Sequence, residues 1–307
     1  MAVSGAAATT YRQQNNLAGI GFMAGAIFIF SINDALGKWL AADYAAPQIL
    51  LFRSVVASVL LIPIIRRIGW RALVNVERRW LQVFRVILAA GETAMFYWAV
   101  KTLPLADAMT YYLAGPIYVT LMAAIFLGEK VGWRRWIAVV FGFVGVIVAL
   151  GPSAASFGGA ALIAFAGSII YSVYLVVTRV LRGTPDTVMA AWQIGAGLIF
   201  GIVGTPFVWT PLTHWYEGLL LGALGVGGLI AIIGVNRSLA LAPASVVVPF
   251  QYTMILWAAI FGYFVFGNVP SLQTIIGAVI IVGAGLFIFV REQSAGAEPT
   301  AEFPPER

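Results

Sequence analysis

Two long stretches of this chain carry no charge at all. No Asp, Glu, Lys or Arg occurs from Trp136 to Thr178, and none from Ser238 to Val290. An uncharged apolar run of about 18 residues is long enough to cross a bilayer as a helix. Each of these two runs has room for a pair of such helices. A soluble domain carries about 25% charged residues to face water, whereas this chain carries 10%. The mean hydropathy of +0.95 agrees. The chain is predicted to be an all-α integral membrane protein.

What remains of the charge excludes several classes. The formal net charge is +6, but the basic residues cap apolar segments instead of clustering on a soluble module, so no nucleic-acid partner is expected. With no cysteine there is no disulfide framework, thiolate metal site or cysteine nucleophile. His214 is the single histidine and falls in a loop, and neither a metal-ligand cluster nor a G-x-S-x-G elbow occurs, so the chain is read as no enzyme, with no cofactor and no metal. The spacings Gly21-x3-Gly25, Gly197-x3-Gly201 and Gly142-x2-Gly145 read as close helix packing, not as phosphate-cradling loops.

Pro, Gly and charges divide the chain into ten predicted spans, at about 18–40, 47–65, 80–100, 105–127, 134–150, 158–180, 187–208, 217–236, 243–266 and 271–290. The third is the weakest, because Arg85 and Glu92 interrupt it. The first sixteen residues are small and polar, without the layout of a cleaved signal. The segment 291–307, with Gly, Pro and Glu, reads as a disordered tail. Orientation follows from the basic residues. One side holds Arg66, Arg67, Arg71, Arg78, Arg79, Lys130, Arg134, Arg135, Arg179, Arg182 and Arg237, with Arg12, Arg291 and Arg307 in the tails; the other holds Lys38 and Lys101. Both termini are expected on the cytoplasmic side of the cell inner membrane.

The octapeptide KTLPLADA, 101–108, returns as RSLALAPA, 237–244, with four positions identical and Lys for Arg and Thr for Ser at two more. The first copy joins spans three and four outside; the second joins spans eight and nine inside. Five spans separate them, and five is odd, so the second half is the first half inverted. Gly91 falls on Gly227 at the same offset, Ala123-Ala124-Ile125-Phe126 recurs as Ala258-Ala259-Ile260-Phe261, and Ser31 and Lys38 fall opposite Ser172 and Arg179. The expected layout is a tail over 1–17, one five-helix repeat over 18–150, a second, inverted repeat over 158–290 and a tail over 291–307. Inverted-topology repeats carry substrate sites at their interface near the bilayer midplane.

Two segments add a family resemblance. LAGPIYVTLMAAIFLGEKV, 113–131, followed by Gly142 and Gly145, resembles the end of a five-helix EamA repeat. VVVPFQYTMILWAAIFGYFVFGNVPSLQTIIGAVIIVGAG, 246–285, resembles the same element again. Together they resemble the drug/metabolite transporter superfamily, over nearly the whole chain. The resemblance implies ten helices in two inverted halves and the transport of small metabolites: amino acids, aromatic ones among them, S-adenosylmethionine, vitamins or drugs. In one place the halves differ. Gly128-Glu129 follows the fourth span, whereas Gly267-Asn268 follows the ninth.

Ionisable groups inside a bilayer are expensive, so each is a functional candidate. Asp34 and Arg53 each lie about six residues, roughly 9 Å, below the outer end of their spans. A salt bridge between them would pin one hairpin, form an outer gate, or leave Arg53 to meet a substrate carboxylate. Glu92 lies near the midplane of span three, and the aligned residue in the other half is Gly228. A lone carboxylate at that depth is a candidate proton carrier or a partner for a substrate ammonium. Aromatics are frequent, as in Phe96-Tyr97-Trp98, Tyr111-Tyr112, Tyr171 and Tyr174. Tyr97, Tyr111, Tyr112, Tyr174 and Tyr252, with polar Asn33, Gln193 and Gln251, are candidates for an aromatic-lined cavity. Pro116 and Pro249 sit inside the matched spans four and nine, where proline frees backbone carbonyls.

A channel would need a continuous polar stripe, which spans eight and ten lack. The reading is a secondary transporter of small amphipathic metabolites working by alternating access, foremost an exporter of amino acids including aromatic ones. The alternative is an uptake carrier for S-adenosylmethionine or another cationic metabolite, or a drug exporter. The expected partners are the small-molecule substrate and the lipid bilayer.

Overall fold

In the computed structural model, residues 2–40, 43–76, 78–102, 110–151, 159–266 and 271–294 are described. All regular structure among them is helical. The long helices are α1 (Ala2–Leu40), α2 (Ala46–Ile68), α3 (Arg79–Thr102), α4 (Gly115–Phe126), α5 (Trp133–Leu150), α6 (Gly159–Val180), α7 (Asp186–Gly204), α8 (Trp215–Leu241), α9 (Thr253–Phe266) and α10 (Leu272–Ser294). A short helical turn, Arg71–Val74, precedes α3. Ala244–Val247 and the 3-10 turn Val248–Tyr252 lead into α9.

Among the described residues, seven segments are long and apolar enough to cross a membrane, including Ala46–Ile68, Gly159–Val180, Trp215–Leu241 and Leu272–Val290. The chain is a multi-pass membrane protein. α3 falls short because Arg85 and Glu92 lie within it. Local chemistry sets the ends. Pro47 opens α2, where its missing N–H is not needed, and Gly69 closes it at φ 88, a conformation that disfavours a side chain.

Four side-by-side helix pairs dominate the packing: α1 with α8, α3 with α6, α2 with α7, and α5 with α10. In lipid the tails are as apolar as leucine, so close fit and small residues hold such pairs together. Gly201 lets α7 rest on the Leu51 backbone of α2, and Gly145 lets α5 meet Gly277 and Ile281 of α10. Met23, Val119, Leu175, Leu239 and Val247 form the largest buried apolar cluster, where α1, α4, α6 and α8 converge. Outside, Phe207, Phe264 and Leu272 stand exposed, as do Trp80, Trp133 and Trp215 near helix starts, where tryptophan is common at membrane interfaces.

Pro116 and Pro249 stand at breaks between helical segments. Pro116 lies in the first turn of α4, after a separate turn at Thr110–Tyr112, and Pro249 lies in the 3-10 turn before α9. Each proline opens a new segment, the position its lost N–H disturbs least. The carbonyl of Pro116 accepts the Thr120 hydroxyl at 2.6 Å. Gly21 and Gly25 meet nothing within 4 Å; they border an open groove between α1 and α8 instead of a tight contact. Helix α1 reaches back to Ala2 through the segment expected as a tail, which is rich in alanine, the best helix former. Most of the first octapeptide, Leu103 to Ala108, the Gly267-Asn268 pair and residues 295–307 lie outside the described residues.

Candidate functional site

A cavity of about 280 Å³ lies among α1, α2, α3, α6, α7, α8 and the turn before α9. Helical spacing builds its walls. Ile27, Phe30 and Asp34 come from one face of α1; Ala89, Glu92, Thr93 and Phe96 from one face of α3; Tyr171, Tyr174 and Leu175 from α6; Ile232 and Val235 from α8. Arg53, Tyr112, Leu113, Gln193, Gln251 and Met254 complete it.

Seven sequence-predicted residues therefore share one cavity: Asp34, Arg53, Glu92, Tyr112, Tyr174, Gln193 and Gln251. Arg53 is near enough to Asp34 for their charges to interact. Glu92 lines the same cavity as Arg53. The Thr93 hydroxyl lies 3.1 Å from Glu92 Oε2. Gly228 is what makes room for Arg53, since a Cβ there would come within 2.7 Å of Nε and Nη2.

Rings form a connected wall. Phe96 meets Tyr112 edge-on at 5.2 Å, Tyr112 lies 6.3 Å from Tyr171, and Tyr171 stacks with Tyr174 at 6.1 Å. Their polar ends are held. Tyr112 donates to the Glu92 backbone carbonyl at 3.2 Å, Gln251 donates to the Tyr171 hydroxyl at 2.7 Å, and Tyr174 donates to Gln193 Oε1 at 3.0 Å. A wall of ring faces with clamped hydroxyls has the shape to receive a flat group.

Other candidates point elsewhere. Asn33 precedes Asp34, about 100° round the helix, and donates to the Leu224 carbonyl at 3.3 Å beside Gly227. Tyr111 turns from the cavity to pack on Phe165, 6.3 Å away. Tyr252 is buried against Gly142 and donates to the Val139 carbonyl at 3.2 Å. The side chain of Tyr97 lies outside the described ones. Phe30, Thr93, Phe96, Tyr171 and Met254 were not among the candidates. For the α1 and α3 residues a signal existed: Phe30 lies one turn from Asp34, and Thr93 and Phe96 share the face of Glu92.

At the arginine-rich end of the bundle, where Arg135 and Arg179 lie, a polar cluster surrounds Glu129. Its carboxylate accepts the backbone N–H of Ala244 at 3.0 Å and of Ser245 at 3.1 Å, and the Ser245 hydroxyl at 2.6 Å. Arg179 lies 3.7 Å from Glu129 and donates to the Leu239 carbonyl at 2.6 Å, while Arg135 donates to the Ser245 hydroxyl at 3.0 Å. The carboxylate by which the two halves differ thus grips the second copy of the repeated octapeptide.

A membrane-embedded helical bundle around a cavity with charged, amide and aromatic walls has the build of a small-molecule carrier. The model of the EamA-like transporter family matches residues 17–151 and again 158–290, and the chain belongs to that family. It is 25% identical to the S-adenosylmethionine uptake transporter of Rickettsia bellii, across 90% of this chain and 95% of the relative. It is 26% identical to the riboflavin transporter of Vibrio cholerae, across 89% and 93%. It is 27% identical to the pseudopaline exporter of Pseudomonas aeruginosa, across 84% and 91%. A solved crystal structure superposes with a TM-score of 0.76 at 20% identity, covering 90% of this chain and 98% of the other, a likeness of fold.

Proposed function

We propose that the chain is an alternating-access carrier of a cationic amino-acid-type metabolite with an aromatic group, with S-adenosylmethionine the first ligand to test. The observation that carries this reading is the gathering of Asp34, Glu92 and Arg53 with a four-ring wall in one cavity. Two carboxylates and one guanidinium leave the lining short of one positive charge. A ligand with an ammonium, a second cationic centre and a carboxylate supplies it, and its ring lies on the wall. The names of relatives that take up S-adenosylmethionine support the same class. A neutral ligand would leave a buried carboxylate uncompensated. Aromatic amino acids are the second reading, favoured by the ring wall and the cavity volume of about 280 Å³.

The moving parts in this reading are two five-helix halves over 18–150 and 158–290, each contributing five spans, with both termini cytoplasmic in the inner membrane of the cell. The double family match supports it. So does the pairing of helices: exchanging the first five helices for the last five turns α1–α8 into α6–α3 and α1–α9 into α6–α4, and returns α2–α7 and α5–α10 to themselves. Rocking one half about the other opens the cavity to each side in turn.

Counterflow in proteoliposomes tests the substrate class. Vesicles preloaded with S-adenosylmethionine are expected to accelerate entry of labelled S-adenosylmethionine. Vesicles preloaded with phenylalanine or riboflavin are expected to do so weakly or not at all. Acceleration of labelled phenylalanine alone would replace this reading with the amino-acid one.

A further inference from the structure

We propose that Arg85 and Gln82 form a second ligand position, which takes the carboxylate of the carried molecule on its way between the cavity and the arginine-rich end. The proposal rests on the carrier reading above.

The α3 face that contributes Phe96, Glu92 and Ala89 to the cavity continues, at spacings of four and three, through Arg85 to Gln82. Arg85 lies seven residues, about 10 Å, from Glu92 toward the arginine-rich end. Arg53 approaches from the opposite end, near the start of α2. One guanidinium therefore stands on each side of the cavity along its length.

Arg85 is poorly compensated where it stands. It is 0% exposed, and among the described residues its hydrogen-bond partners are all neutral oxygens, with the Tyr174 ring centroid 5.4 Å from its guanidinium carbon. The Met189 carbonyl accepts at 2.6 Å, and Gln193, Tyr174 and Thr178 at 3.4, 3.4 and 3.5 Å. Nε has no hydrogen-bond partner among the described residues. One turn further, Gln82 is also 0% exposed, and neither its amide oxygen nor its nitrogen has a hydrogen-bond partner among them. Buried polar groups are nearly always satisfied, and a buried charge without a counter-ion is costly. Two such groups on one face, adjoining the cavity residues Tyr174 and Gln193, leave donors available where an anionic group is to be received. A carboxylate fits: a planar fork offers it two parallel bonds, and the Gln82 amide a third. Because Tyr174 and Gln193 stand between the cavity and Arg85, the ligand reaches it only as the arginine-rich end opens.

The first test needs no knowledge of the substrate. Reconstituted protein is treated with phenylglyoxal, which modifies arginine, and labelling of Arg85 is followed by peptide mass spectrometry with exposed Arg78 as reference. Acetate is expected to slow labelling of Arg85 several-fold while leaving Arg78 unchanged, and acetamide, of the same shape without the charge, to slow neither. Equal effects of acetate and acetamide at Arg85, or no labelling of Arg85 at all, would overturn the proposal.

The second test compares S-adenosylmethionine with its decarboxylated analogue in counterflow. Arg85→Gln is expected to reduce exchange of the first at least about tenfold and of the second far less, with Arg85→Lys between. Gln82→Leu removes an unpartnered buried amide, so it is expected to melt no lower than the parent while exchanging S-adenosylmethionine more slowly. Equal losses for both ligands in Arg85→Gln, or a Gln82→Leu protein that melts lower and transports normally, would make the pair a structural tie and sink the proposal. If the parent carries neither ligand, the substrate class fails and the labelling experiment alone decides Arg85.

Discussion

Arg53 owes its place to a missing side chain. Gly228 faces its guanidinium and Gly225 faces its backbone carbonyl, so the two glycines of α8 have different consequences. In Gly228→Ala the new methyl meets the far end of a flexible side chain, which moves aside. Stability is expected to stay within about 1 kcal/mol of the parent, while exchange falls about tenfold as Arg53 leaves its ligand. In Gly225→Ala the obstacle is main chain, and a loss of about 1–3 kcal/mol is expected. Melting curves and counterflow on both variants check the pair. Glu92→Gln keeps shape and removes charge; exchange is expected to fall with little change in melting, and unchanged flux would take Glu92 out of the mechanism. These residues differ in how far the sequence exposed them. Asp34, Arg53 and Glu92 were legible because a charge stands out against an apolar run. Arg85 was equally visible, yet it registered only as a weak point in span three, since its neutral partners lie on two other helices. Nothing local marks Gly228, whose role depends on what packs across from it.

Helix ends are where the elements are tied to one another. Glu129, just after α4, accepts three hydrogen bonds from Ala244 and Ser245 and lies beside Arg179 at the end of α6. Removing it in Glu129→Ala leaves two backbone N–H groups and a hydroxyl without their acceptor, and a loss of about 1–3 kcal/mol or more is expected in the melting transition. Glu129→Gln keeps acceptor oxygen and size and is expected to lose less. Equal melting of all three proteins would mean the cluster holds nothing together. The sequence marked Glu129 as a difference between the halves but offered no partner, because Ser245 lies 116 positions away. Helix existence, by contrast, was legible from apolar runs divided by Pro, Gly and charges, most plainly over 136–178 and 238–290. A proline inside each apolar run marked the breaks before α4 and α9, but it looks the same whether it kinks one helix or opens the next.

Across the whole molecule the four main helix pairs map onto one another when the first five helices are exchanged for the last five, although the packing of α7 on α8 is not matched between α2 and α3, and the charge does not follow the exchange. An inverted pair of identical halves would present the same face to both sides of a membrane and could insert either way. The arginines break that degeneracy: Arg66, Arg67, Arg71, Arg78 and Arg79 border α2 and α3 at one end, and the loop before α8 at the other end has no Lys or Arg. Basic residues are retained on the cytoplasmic side, so the end holding Arg78 is expected there and the end holding Thr213 outside. The chain has no cysteine, so single cysteines report this directly. Arg78 and Thr213 are both exposed. A Thr213→Cys protein is expected to react with a membrane-impermeant maleimide in intact spheroplasts. An Arg78→Cys protein, which keeps the other arginines of its end, should react only after the membrane is disrupted. The opposite pattern would turn the molecule over and place the Glu129 cluster outside. Labelling of both positions in intact spheroplasts would mean that the chain inserts in two orientations, and that the surplus of arginines is too small to choose between them.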